Sequence, residues 1–543
     1  MSIHDLFVFC GGFGNVTRLL FTDEQLILAL SNPQAEPNHP LFIQSQNVGG
    51  ECQWVFARTD DMTSSQAMAI SQCLAERQKK DANTMSNPVA SVFRPAWHVS
   101  PPQGLLNDPN GFIYHNGQYH LFYQWYPYGC EHKDKHWVQL TSDNLIDWQW
   151  QSVALTPSAW FDSHGVFSGH AVSDGDTLYA YYTGNTRVGA ERVRQTTQCV
   201  AVSKQGGAFE KLGPVIHELP EGVTEHIRDP KVIEYAGRWW MILGAQTTEL
   251  KGRLAVYHSS DRLNWQFSGL FGEELGELGY MWECPDLFEL NGQQFAMFCP
   301  QGIDSPNACH SVEHHNGIAK LTLQSEPFNL TLRDFQTLDH GFDFYAPQTM
   351  QTPDGRRVLC AWMGLPDDVD HPSVDEGWLH QLTCLRELEY REGRIYQRPV
   401  RELDALLCEQ RTLSLNESLC DLGTQSFVLR MMLKWGQTLN LFEGDGYRVQ
   451  LKACSQTRCL VLDRTNTLNR SADTIRQLPL ACQEIEISAF VDTSSLELFI
   501  NQGEYVMTSR VFASPMSTCV SLLGGQEVAE VHTVEPSMPP FSG

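Results

Sequence analysis

Between residues 104 and 363 the chain alternates short apolar runs with tight polar turns at a regular spacing. Five pairs of apolar runs each flank a turn ending in glycine: Asn116-Gly117, Asp174-Gly175, Ala236-Gly237, Asn291-Gly292 and Asp354-Gly355. Asn-Gly and Asp-Gly between such runs are a strong hairpin signal. The runs read as strands over 111–114 and 118–125, 169–173 and 177–183, 231–235 and 238–243, 287–290 and 293–299, and 348–351 and 357–363. The turn glycines lie 58, 62, 55 and 63 residues apart. That period predicts a repeat of four-stranded units, a five-bladed β-propeller over residues 93–404.

The pattern differs on either side. Over 64–79, Ala67, Ile70, Cys73 and Leu74 recur at a spacing of three to four, which predicts a helix. The polar stretch 81–92, broken by Pro88, reads as a linker, and 1–92 as a small N-terminal extension. It could serve as a cap, a homo-oligomer contact or an appended domain. Beyond residue 405, alternating segments at 426–433, 447–453, 484–491, 496–500 and 505–512 predict a C-terminal β-sandwich over 405–543. The expected fold class is therefore all-β.

Charge narrows the partners. The formal net charge is −26, so the surface repels nucleic acid and anionic membranes, and neither is expected as a partner. An anionic substrate would need a local cluster of cations; His132, Lys133, Lys135 and His136 form one basic run. The sixteen cysteines show no paired spacing, and no basic leader or long apolar run is present. These features favour a reducing, cytoplasmic setting.

Candidate chemistry comes from three acids that share a register. Asp108 lies nine residues before its turn glycine, Asp229 eight and Glu283 nine. Each motif alone, Asn107-Asp108-Pro109-Asn110-Gly111, Arg228-Asp229-Pro230 or Trp282-Glu283-Cys284-Pro285-Asp286, reads as an ordinary turn or cap. Equivalent places in successive repeats bring them to one funnel. Carboxylates so gathered suit glycoside hydrolysis, which needs one ionised acid and one protonated acid. Burial by Met281 and Trp282 is expected to raise Glu283, and Arg228 to keep Asp229 ionised. Repeat geometry alone leaves Asp108 and Asp229 interchangeable.

These blocks, with the segments 119–124, 344–348 and 498–503, resemble the invertase-like β-fructofuranosidases. The segments 279–288 and 384–388 are most similar to bacterial sucrose-6-phosphate hydrolases within that family. The resemblance implies a propeller followed by a sandwich, a sugar substrate and no cofactor or metal. It implies Asp108 as nucleophile, Glu283 as acid/base and Asp229 as transition-state stabiliser. It also implies sugar contacts from Leu105, Leu106, Asn107, Gln124, Phe167, Ser168 and Arg228. An invertase preferring unphosphorylated sucrose, a fructosyltransferase and a catalytically dead sugar-binding propeller are the alternatives.

Overall fold

The computed structural model describes residues 2–303, 313–326 and 328–537. Strand residues outnumber helical ones 54% to 8%, so the chain is all-β as expected.

Five sheets, antiparallel except for one short parallel pair in the first, succeed one another between residues 104 and 399. The first contains Gly104–His115, Gln118–Tyr126, His136–Ser142 and Gln149–Leu155. The second contains Val166–Asp174, Thr177–Val188, Val193–Lys204 and Glu210–Ile216. The third begins with Val223–Tyr235, the fourth with Met281–Leu290 and the fifth with Tyr345–Gln351. Every predicted strand pair falls inside these sheets. Three of the hairpin turns have two residues at positive φ, as a tight turn matching strand twist requires: Asn116-Gly117, Ala236-Gly237 and Asn291-Gly292. The second hairpin turns one residue later than expected, on Gly175 and Asp176, because Asp174 pairs with Thr177.

The opening strand of each sheet packs against the opening strand of the next, and Tyr345–Gln351 packs against Gly104–His115. Trp378 and Leu379, from the fifth repeat, pair in parallel with Gly104 and Leu105 of the first. Each opening strand is also bulged at the same end. The ladder slips at Asn107 and Asp108, at Phe167 and Ser168, at Asp229 and Pro230, at Cys284 and Pro285, and at Ala346 and Pro347. Bulges re-aim side chains out of the regular pleat.

The N-terminal 83 residues are more than an extension. Strands Val16–Phe21, Gln25–Leu30, Glu51–Ala57 and Phe42–Val48 form a sheet in that order, and the helix Ser64–Asn83 packs on it. Thr63 caps the helix by accepting a hydrogen bond from the Gln66 amide. Its buried face carries Ala67, Ile70 and Leu74 as expected, with Ser71 buried in place of Cys73, which is exposed. The helix runs four residues past the predicted end, into the supposed linker. The stretch 81–94 is docked on the repeat sheets rather than free: Tyr128 Oη donates to Asp81 Oδ2 at 2.7 Å, and Arg94 stacks 4.5 Å over Trp378.

Beyond residue 406, two six-stranded antiparallel sheets share one apolar core that includes Leu429, Leu441, Val449, Ile487 and Leu498. They join the repeat sheets through buried ions. Arg386 donates to Glu497 and Asp339, and His98 bridges Asp492 and Glu497 at 2.8 Å each, with all five side chains fully buried.

Candidate active site

A cavity of about 370 Å³ opens at the bulged ends of the five opening strands. Asp108, Asp229 and Glu283 all line it, with Asn107, Gln124, Phe167, Ser168 and Arg228. The three distant acids therefore meet.

The bulges explain how. Four of the opening strands carry a proline there: Pro109, Pro230, Pro285 and Pro347. The residues just before them are Asp108, Asp229, Cys284 and Ala346, and the last three have φ of 65°, 51° and 49°. A non-glycine residue in that left-handed region costs about 1–2 kcal/mol, a strain of the kind that collects at functional sites. It turns this ring of side chains toward one another. Cys284 Sγ lies 3.6 Å from Asp108 Oδ2 and 3.6 Å from Asp229 Oδ2. The two carboxylate oxygens are thus no more than 7.2 Å apart, twice 3.6 Å. Ser168 fills the equivalent place in the second sheet, and its hydroxyl donates to Asp108 Oδ2.

One residue earlier, Asn107, Arg228, Glu283 and Tyr345 form a second ring. Arg228 donates to Glu283 Oε1 from Nε at 2.8 Å and from Nη2 at 2.6 Å. The other oxygen, Oε2, accepts from Tyr345 Oη at 2.6 Å and Gln301 Nε2 at 2.8 Å. Asn107 Nδ2 donates to Asp108 Oδ1 at 3.2 Å and to Gln124, whose own amide donates to the Val166 carbonyl.

The proton distribution differs from the expected one. Burial alone would raise Glu283, but the Arg228 charge and the hydrogen bonds from Tyr345 and Arg228 outweigh it, holding this carboxyl below its ordinary range. Asp229 is the raised one. Burial, with the charges of Glu283 and Asp108 added and Arg228 opposing, pushes it up to about 7. Burial also raises Asp108, against the Ser168 hydrogen bond. Arg228 thus serves Glu283 first, because its guanidinium points along its own ring rather than toward its sequence neighbour. Asp229 thus exchanges its proton near neutral pH, between one carboxyl that is raised and one that is lowered.

Two expected contacts fail. Leu105 and Leu106 are fully buried and do not reach the cavity; Leu106 packs in the core with Phe112 and Trp125. Both sit on the regular strand before the bulge, paired with Tyr126 and Trp125, and point to opposite faces that are equally buried. Asp286 is also turned away, paired with Lys231 at 2.6 Å. Three members of the basic run, His132, Lys133 and Lys135, line the cavity, while His136 is buried elsewhere with burial holding it down to about 4. Sequence reasoning passed over Tyr345, Cys284 and Gln301. The first two sit in quoted motifs at fixed distances from proline, so a signal existed for them; none marks Gln301.

The chemistry and the comparisons agree. Residues 98–399 match the family description "Glycosyl hydrolases family 32 N-terminal domain", and 439–536 match "Glycosyl hydrolases family 32 C terminal". A probable sucrose-6-phosphate hydrolase of Vibrio cholerae is 55% identical, over 100% of this chain and 99% of its own length. The sucrose-6-phosphate hydrolase of Salmonella typhimurium is 40% identical over 78% of this chain and 90% of its own. Among solved structures, a sucrose-6-phosphate hydrolase from Lactobacillus gasseri superposes with a TM-score of 0.79 at 29% identity, covering 88% of this chain and 100% of that one. A family 32 β-fructofuranosidase variant from Bombyx mori in complex with sucrose gives 0.72 at 31% identity, covering 86% and 98%. From its two matched segments and its trio of converging acids, the chain belongs to glycoside hydrolase family 32.

Proposed function

We propose that the protein hydrolyses the β-fructofuranosyl bond of sucrose 6-phosphate, or of sucrose, by a retaining double displacement. The convergence of Asp108, Asp229 and Glu283 on one cavity carries this reading. Asp108 attacks the anomeric carbon of the fructosyl unit while Glu283 protonates the bridging oxygen, and the hexose leaves. Glu283 then takes a proton from water, which attacks the ester carbon and frees fructose and the Asp108 carboxylate. Asp229 accepts hydrogen bonds from fructosyl hydroxyls and faces the positive charge that develops on the ring.

The resting proton on Asp229 fits this scheme. Sugar hydroxyls donating to Asp229 favour its ionised form, and a sugar that draws Arg228 away removes the main support of Glu283 as an anion. Binding therefore hands the proton to the residue that must deliver it.

The same reading treats the five repeat sheets over 93–404 as blades of a closed propeller. The packing of the fifth opening strand against the first, and the parallel pairing of 378–379 with 104–105, support closure. Residues 405–543 serve as the sandwich that braces it. Cysteines among the described residues are all free thiols, and no helix among those residues is long and apolar enough to cross a membrane. Free thiols support a reducing, cytoplasmic site of action.

Turnover of an Asp108→Asn variant tests the assignment. Loss of about three or more orders of magnitude in kcat is expected; near wild-type turnover removes Asp108 as nucleophile.

A further inference from the structure

One wall of the cavity carries a charge arrangement that the fructosyl chemistry does not use. Arg187, Arg192 and Arg194 line the cavity from the hairpin formed by Thr177–Val188 and Val193–Lys204. Arg187 and Arg194 are direct cross-strand partners. Like charges placed opposite one another destabilise a strand pair, and both of these guanidinium groups are held below their ordinary value, by burial first and then by neighbouring arginines. A chain with 64 acidic and 38 basic residues has carboxylates to spare for such a cluster. Yet among the described residues none of the three forms an ion pair, and their guanidinium groups donate no hydrogen bond; Arg194 only stacks 5.6 Å from the Phe167 ring.

A fourth cation adds an independent observation. Lys135 lines the same cavity, is 3% exposed, and its Nζ has no hydrogen-bond partner. Burial lowers its ammonium to about 7. The rest of the basic run contributes little charge: burial pushes His132 down to about 2, and Lys133 is paired with Glu131 at 2.7 Å.

The N-terminal sheet props both cationic elements. Gly49, with φ of 61°, lies against Arg192, and a Cβ there would fall 2.5 Å from Arg192 Nη1. Arg18 joins Glu51 of that sheet at 2.8 Å to Asp134 at 2.5 Å, in the loop that carries Lys135.

We infer that Arg187, Arg192 and Arg194, with Lys135, form a subsite for a phosphate monoester carried on the departing hexose, held in place by the N-terminal sheet. Planar guanidinium groups bind phosphate oxygens in pairs, and a dianion relieves the repulsion between Arg187 and Arg194. Phosphate near Lys135 returns its ammonium to the charged form. This subsite rests on the proposed β-fructofuranosidase reading and assigns its leaving-group specificity.

The test measures kcat/KM on sucrose 6-phosphate and on sucrose for wild type, Arg187→Gln, Arg194→Gln and the double variant. Each single change is expected to lower the ratio of the two constants about tenfold, chiefly through KM for the phosphorylated sugar. Glucose 6-phosphate should inhibit wild type competitively and the double variant more weakly. Ratios within about twofold of wild type in all variants overturn the subsite. So does a wild-type enzyme that cleaves both sugars equally well, while leaving the hydrolase intact. A protein that frees fructose from neither sugar defeats the parent reading instead.

Discussion

Asp229→Asn separates stability from activity, and the structure gives the size and sign of the effect. Ionising Asp229 in place is costly, because burial and two neighbouring carboxylates push it from the ordinary 3.8 to about 7. At about 1.4 kcal/mol per factor of ten, that is about 4 kcal/mol withdrawn from the folded state at high pH. A carboxyl raised on folding keeps its full stability below pH 3.8, loses it progressively as pH rises, and reaches its floor above about 7. Asparagine has no such dependence. It tolerates the left-handed backbone at this position, where φ is 65°, and its carbonyl can still accept from the Cys284 amide, now 2.9 Å away. The variant should therefore gain on wild type by about 3 kcal/mol between about pH 5 and pH 8, and its melting temperature should rise by several degrees at the upper pH while turnover collapses. Thermal unfolding monitored by tryptophan fluorescence at the two pH values reads this directly. A gap between variant and wild type that stays constant across that range refutes the reasoning.

The structure carries three further outcomes. Wild-type kcat/KM should fall as pH rises through about 7, where Asp229 loses its proton; Tyr345→Phe, which removes a donor 2.6 Å from Glu283, should move that alkaline limb upward and lower kcat/KM about tenfold, and an unmoved limb counts against the proposed hand-over of the proton from Asp229 to Glu283. Arg386→Met strands the buried Asp339 and Glu497 carboxylates and should cost about 3–5 kcal/mol, read as an earlier melting transition; a melting temperature within a degree of wild type would show that the ion cluster does not hold the sheets together.

Much of the architecture was legible because the hairpins punctuate the chain with turn glycines, and strands on either side alternate as they must. The site was legible only approximately. Counting back from the turn glycines aligned Glu283 with Asp108, but the first opening strand slips a second time between Asn110 and Ile113, on the turn side of the cavity, and such a slip breaks the count. Counting from the prolines instead places Cys284 with Asp108 and Asp229, and Glu283 with Arg228 and Tyr345. That alignment also explains why Arg228 gives its hydrogen bonds to Glu283, while only its charge acts on Asp229. Leu105 and Leu106 look like part of the motif because they adjoin it, yet they lie on the regular strand before the bulge. Arg187, Arg192 and Arg194 left no local signature, since their meaning comes from the hairpin overhanging a cavity built by other sheets. The N-terminal sheet was missed because Phe42–Val48 is largely exposed and shows no apolar alternation.

The residues at the five opening-strand bulges have a wider consequence. Asp108, Ser168, Asp229, Cys284 and Ala346 stand at the corresponding bulge of the five opening strands, each on a backbone already bent to present it. Exchanging any one of them alters the reagent without rebuilding its holder. An acid in place of Cys284 would wedge a further anion between two existing ones, whereas a neutral group in place of Asp229 would calm them. Such a scaffold separates invention from upkeep: new reactivity can be sampled one seat at a time while the surrounding strands stay as they are.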